Sequence, residues 1–204
     1  MYVEIGQYGV FNGETLPTKD LGGNDHYRVV STAAKVWNKH TVIMVDLDAP
    51  YPEKAYKAPY LHLLTINGYD GAKETVVRYI PPSPPVDSKP HRYKIYLFQQ
   101  THDIPSPTID TREQFDVHDF MQYEARQGRS LILEDTRTFY GDARLGDLSA
   151  SPTTKNVFSE YYESDKLSEE DLQVLADIYG IPDAFTLSSP EIKAKINKIL
   201  SHKN

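Results

Sequence analysis

Three short apolar segments, each bearing ionisable side chains at one end, constrain this chain more than any other feature. They are Thr41-Val42-Ile43-Met44-Val45-Asp46-Leu47-Asp48-Ala49-Pro50, Tyr60-Leu61-His62-Leu63-Leu64-Thr65-Ile66 and His91-Arg92-Tyr93-Lys94-Ile95-Tyr96-Leu97-Phe98. Their β-branched and aromatic residues suit pleated strands. Thr41–Val45 is apolar almost throughout, which predicts a central strand covered on both faces. Strand alternation puts His62, Leu64 and Ile66 on one face. It puts His91, Tyr93, Ile95 and Leu97 on one face of the third segment, with Arg92 and Lys94 opposite. Each histidine then opens the apolar side of its strand, and Asp46 and Asp48 share a face. If these ends meet, they form a small polar pocket at the rim of a hydrophobic core.

The rest of the first hundred residues also reads as β, with short apolar runs broken by Asn-Gly, Gly-Gly and proline clusters. Asn67-Gly68 predicts a turn after the second segment. Between Thr101 and Ser151 the pattern is weaker: Arg112–Gln127 reads as a helix and Leu131-Ile132-Leu133 as a last strand. In the tail, Ser168 caps a helix that carries Leu172, Leu175, Ala176 and Tyr179 and stops at Gly180. Ser189-Pro190 opens a second helix with Ile192, Ile196, Ile199 and Leu200 on one stripe. The expected architecture is mainly β: an antiparallel β-sandwich over residues 1–150, with a C-terminal helical hairpin over residues 151–204 packed on it.

Composition excludes several classes. The chain has 204 residues, 39% hydrophobic and 25% charged, as soluble globular proteins do. A net charge of −7 argues against a nucleic-acid partner, because phosphate backbones need a basic surface. No cysteine is present, which removes disulfides and thiolate chemistry and fits a reducing, cytoplasmic setting. Met1–Gly9 lacks a basic start followed by an apolar stretch, so no signal peptide is expected. No apolar run approaches the roughly 20 residues needed to span a bilayer; peripheral membrane contact remains compatible.

The motifs resemble those of the phosphatidylethanolamine-binding protein family, which includes kinase-inhibitor-like and plant flowering-regulator members. Asp46-Leu47-Asp48-Ala49-Pro50 looks like that family's D-P-D-A-P. His62 stands where its second-strand histidine stands. Tyr79-Ile80-Pro81-Pro82-Ser83-Pro84-Pro85 followed by His91-Arg92-Tyr93 looks like Y-x-G-x-G-P-P followed by G-x-H-R-Y. The resemblance covers roughly Val3 to Gln100, with an echo at Arg112-Glu113-Gln114-Phe115. It implies a β-sandwich with an anion pocket at one end, lined by Asp46, His62, His91 and Tyr93. Ser83 would add a backbone N–H, and Tyr60 and Pro50 would stand at the rim. It also implies cis peptides at Ala49-Pro50 and Ala58-Pro59. Leu47 departs from the family's proline, Pro81 and Ser83 from its two glycines, and Tyr60 from a frequent tryptophan.

On this reading the two imidazoles donate N–H to a phosphate oxygen, each bond contributing about 1.5–3 kcal/mol. Asp46 accepts from one imidazole and fixes its tautomer, and Asp48 braces the loop through backbone or Arg92 contacts. The ligand class is a phosphate-bearing or anionic group: a phospholipid head group, a nucleotide-like phosphate or a phosphopeptide. By resemblance the protein regulates a protein kinase or other signalling protein rather than acting as an enzyme, with no cofactor and no metal. The alternative is a hydrolase or metal-dependent enzyme using the same Asp/His pocket. The proline run reads as a rigid loop, or else as a PxxP ligand for an SH3-type domain.

Overall fold

The computed structural model describes residues 1–6, 8–21, 27–30, 39–69, 72–145 and 187–201. The chain divides into two compact units, Met1–Thr154 and Lys155–Asn204. In the first unit the described strands are β1 (Tyr2–Ile5), β2 (Tyr8–Gly9), β3 (Thr15–Pro17), β4 (Tyr27–Val30), β5 (His40–Asp46), β6 (Tyr60–Tyr69), β7 (Ala72–Val77), β8 (His91–Gln100) and β9 (Leu131–Asp142), with helix α1 (Val117–Arg126) before β9. They form a three-stranded sheet, β2-β1-β4, and a six-stranded sheet, β3-β9-β8-β5-β6-β7. Every described pairing is antiparallel except β3 with β9.

The large sheet is covered on both faces, and β5 shows why its sequence is apolar. Val42 and Met44 point into a core shared with Val3, Ile5 and Tyr8 of the small sheet. Ile43 and Val45 point the other way, into a second core closed by Ile104, Val117 and Phe120. The expected mainly-β architecture of two sheets is therefore the observed one.

Three local readings change. Asn67-Gly68 does not turn the chain. β6 runs on to Tyr69, and the pairing with β7 slips between Ile66 and Tyr69. Asn67 takes a positive φ of 54° there, and its side chain exchanges hydrogen bonds with the Ile104 backbone at 2.9 and 3.0 Å. The helix expected from Arg112 starts only at Val117. Asp116 caps it, its carboxylate accepting from His118 N at 2.7 Å and Asp119 N at 3.1 Å. Residues 112–115 instead exchange backbone hydrogen bonds with residues 57–61. Strand β9 runs for 12 residues rather than the three expected.

In the second unit, α2 (Ser189–Ser201) is present where Ser189-Pro190 predicted it, and Ile192 of its apolar stripe is buried. The helix expected from Ser168 to Gly180 lies outside the described residues.

Candidate functional site

The pocket begins with strand pairing. Asp46, the last residue of β5, is the Cα partner of Tyr60 on β6 and of Tyr93 on β8. His62 joins this row through an irregularity. Met44 pairs with Leu63 and Val45 with Leu61, so His62 is an extra residue in β6. Such a bulge re-aims a side chain. His62 therefore leaves the face of Leu64 and Ile66, against the simple alternation, and meets the Tyr93 ring edge-on at 5.2 Å and 90°. The Tyr60 ring lies 5.7 Å from that of His62. The His91 ring stacks on Tyr93 at 6.4 Å. Four polar side chains expected to converge, Asp46, His62, His91 and Tyr93, thus lie together, each no more than 5% exposed. Ser83 is exposed, and its backbone N–H is near enough to act on the Tyr93 phenol. Pro50 is half-buried on the loop after Asp46, and both Ala49-Pro50 and Ala58-Pro59 are cis.

The Asp46 carboxylate is engaged by donors of the protein itself. Its Oδ1 accepts from Asp48 N at 2.8 Å, and its Oδ2 lies 2.8 Å from His91 Nδ1. Burial pushes the Tyr93 phenol well above its ordinary value, and the Asp46 carboxylate adds to this, while the Ser83 N–H opposes it. The second nitrogen of His91 is also engaged: Nε2 lies 3.0 Å from Ser88 Oγ, which donates to the Lys89 carbonyl at 2.9 Å. His91 therefore holds both nitrogens on protein atoms. The two imidazoles, expected to act alike, therefore differ in how the protein engages them.

His62 is arranged differently. Its Nδ1 donates to the Ile80 carbonyl at 2.8 Å, and among the described residues Nε2 has no hydrogen-bond partner. That contact fixes the neutral tautomer and leaves a lone pair on Nε2. Burial lowers the His62 pKa, and the Arg112 and His91 charges add to this; the Ile80 carbonyl and Asp46 oppose it. Arg112 stands behind the ring, donating to the carbonyls of Leu61 at 3.0 Å, His62 at 3.4 Å and Arg78 at 2.9 Å.

Asp48 braces the loop as expected. It accepts from Arg92 N at 2.7 Å and receives the guanidinium at 2.7 and 2.9 Å. Burial alone would raise its pKa, but the Arg92 guanidinium and N–H hold it below the ordinary carboxylate range. Gly141 lies opposite His91 on β9, where a Cβ would stand 2.7 Å from Tyr93 Cε2 and 2.8 Å from Thr18 Cγ2. Ser88, the Ile80 carbonyl and Gly141 carry no pattern in the sequence that marks them. Arg112 belonged to the recognised Arg112–Phe115 echo, but its contact behind His62 depends on a long-range fold. Among the described residues no group of three or more His, Asp or Glu is arranged to hold a metal ion. No described helix is long and apolar enough to cross a membrane.

The family model for phosphatidylethanolamine-binding protein matches residues 8–132, more than half of the chain. The chain is 36% identical over 112 residues to protein BROTHER of FT and TFL 1 of Arabidopsis thaliana, a match spanning 52% of this chain and 56% of that relative. Two solved structures share the fold. One is a carboxypeptidase Y inhibitor complexed with its cognate proteinase: TM-score 0.52, 20% identity, 69% of this chain and 82% of that one. The other is a phosphatidylethanolamine-binding protein from Plasmodium vivax: TM-score 0.52, 15% identity, 69% of this chain and 84% of that one. With the family match covering both strands that carry its histidines and the β5 end that carries Asp46, this chain belongs to the phosphatidylethanolamine-binding protein family.

Proposed function

We propose that the pocket of Asp46, His62, His91 and Tyr93 binds a phosphate-bearing anion, such as a phospholipid head group or a phosphorylated small molecule or peptide. On this reading occupancy regulates a signalling partner, and the chain acts in the cytoplasm. The observation that carries it is His62 Nε2, the one ring nitrogen of the pair left open to a ligand. Around it, the Asp46 oxygens are occupied by donors of the protein itself. The Ser83 N–H, near the Tyr93 phenol, is a backbone donor available to a phosphate oxygen.

The tautomer sets a proton condition. A neutral His62 presents a lone pair, which repels an anionic oxygen. Binding therefore brings one proton, either on Nε2 or on the phosphate. Because burial holds the free imidazole neutral, affinity rises as pH falls. Inorganic phosphate or phosphoethanolamine should raise the melting temperature more at about pH 6 than at about pH 8. His62→Gln should remove most of the shift and its pH dependence, a loss of about tenfold or more in affinity. An unchanged shift in that variant would remove His62 from the site.

A hydrolytic reading has one observation in its favour, the chain Asp46–His91–Ser88 at 2.8 and 3.0 Å. It resembles a carboxylate–imidazole–hydroxyl relay. Against it, Ser88 is 4% exposed and its hydroxyl donates to the Lys89 carbonyl, which directs the proton away from His91. Ester hydrolysis by the wild type that disappears in Ser88→Ala would favour this reading over binding.

A further inference from the structure

Resting on the anion-pocket reading, we infer that Arg112 is a positioning residue for His62: its guanidinium clamps β6 to the segment after β7 and so holds the His62 ring in the tautomer that leaves Nε2 to the ligand. The extra residue in β6 creates the need for such a clamp. A bulge leaves backbone groups outside the ladder, and a buried polar group without a partner is costly. On this edge of β6 the pairing with β7 begins only at Leu64 and Val77, so it does not reach Leu61 and His62. Arg112 takes that place. Its carbonyl accepts from Leu61 N at 2.8 Å. Its Nη1 donates to the Leu61 carbonyl at 3.0 Å and to the His62 carbonyl at 3.4 Å, and its Nη2 to the Arg78 carbonyl at 2.9 Å. One planar group thus joins the backbone that carries the His62 ring to the backbone just before the ring's acceptor, the Ile80 carbonyl at 2.8 Å. Ile80 N completes the link by donating to the His62 carbonyl at 3.0 Å.

Arg112 is itself held. Gln114 has a φ of 57°, in the left-handed region that residues other than glycine seldom adopt. Its N–H donates to the Lys57 carbonyl at 2.9 Å, its Nε2 to the Tyr56 carbonyl at 3.0 Å, and Phe115 N to the Pro59 carbonyl at 2.8 Å. Such a backbone persists where its surroundings fix it, and here it lays residues 112–115 along residues 56–61, with Arg112 at the bulge. Lysine at 112 would keep the charge but not the fork, and a compact ammonium does not span three carbonyls on two segments. Without the clamp the Ile80 carbonyl no longer has a fixed place, and the ring exchanges between its two neutral tautomers. The tautomer protonated on Nε2 donates to an anion directly, with no proton taken up. Arg112 therefore couples anion binding to pH. The titratable and charged groups that face His62 are Tyr60 on β6, Asp46 on β5, His91 and Tyr93 on β8, and Arg112. Arg112→Lys changes the charge of none of them.

Two measurements on the full chain test this. Without ligand, the imidazole nitrogens are read by NMR at about pH 8, the His62 signals being those missing in His62→Gln. The wild type should show one neutral form protonated on Nδ1, and Arg112→Lys a mixture of the two tautomers. The wild-type pattern retained in Arg112→Lys overturns the inference. Glu113→Gln, which breaks the exposed pair with Lys57 at 2.8 Å in the same segment, should leave the signals unchanged. A mixture there as well would assign the effect to the segment and not to the guanidinium. Separately, phosphoethanolamine is titrated at about pH 6 and about pH 8. The gain in affinity at the lower pH should be about tenfold smaller in Arg112→Lys than in the wild type. An equal loss at both pH values would mark a merely structural role and overturn the coupling. If the wild type binds at neither pH, the anion-pocket reading falls, while the tautomer measurement still decides whether Arg112 positions His62.

Discussion

At the scale of single residues, the pocket is a set of proton assignments. His62 and His91 are both buried, yet one is held by a backbone carbonyl and the other by a carboxylate and a hydroxyl. Residue types and their order were enough to nominate both, together with Asp46 and Tyr93. They were not enough to tell the two histidines apart, because the partners that do so, Ile80 O and Ser88 Oγ, are supplied by the fold. Asp48 was legible as a brace, since an aspartate just past a strand end commonly ties down its own loop. It also supports a stability prediction. Its folded pKa lies below the unfolded one, so its ion pair with Arg92 contributes at pH values above the ordinary carboxylate range, near 3.9. That contribution is lost as pH falls through the depressed folded value. Asp48→Asn should therefore cost about 1–2 kcal/mol near neutrality, and the gap to wild type should shrink in acid. Urea melts at about pH 7 and about pH 3 check this; a gap that widens in acid would contradict it.

At the scale of elements, the decisive event is one residue of slippage. Alternation along β6 was read at period two, which is right for Leu64 and Ile66 and wrong for His62, because the pairing with β5 skips His62. No local signal marked this bulge, since Tyr60–Ile66 contains neither glycine nor proline. Long β9 was missed for a related reason. Ile132 and Leu133 are adjacent and both half-exposed, and the strand continues through Glu134, Asp135, Thr136 and Arg137. An edge-like strand of that composition carries no alternating pattern. Its far end supports the pocket, because Gly141 leaves room for the Tyr93 ring. Gly141→Ala should cost about 1–3 kcal/mol through overpacking and weaken phosphate binding by displacing Tyr93. A thermal melt paired with a binding titration tests this; unchanged stability would mean that Tyr93 and Thr18 yield without cost.

At the scale of the molecule, a net charge of −7 sets the chain's own field against the proposed anion site. The fold accommodates this by enclosure. Three strand ends of the large sheet meet at the pocket, the Asp46 oxygens are capped by donors, and Arg112 stands behind His62. The two-sheet architecture was readable because β5 is apolar on both faces and must be covered twice. What depended on long-range pairing, such as the parallel contact of β3 with β9, was not. Family membership follows from the same motifs in the same order. Whether the enclosed site takes an anion is best settled by calorimetric titration of phosphoethanolamine in two buffers of different ionisation enthalpy, at about pH 6 and about pH 8. The account predicts one-to-one binding with net proton uptake and tighter affinity at the lower pH, lost in His62→Gln. Absence of binding at both values, or binding with no proton uptake and no dependence on pH, would contradict it.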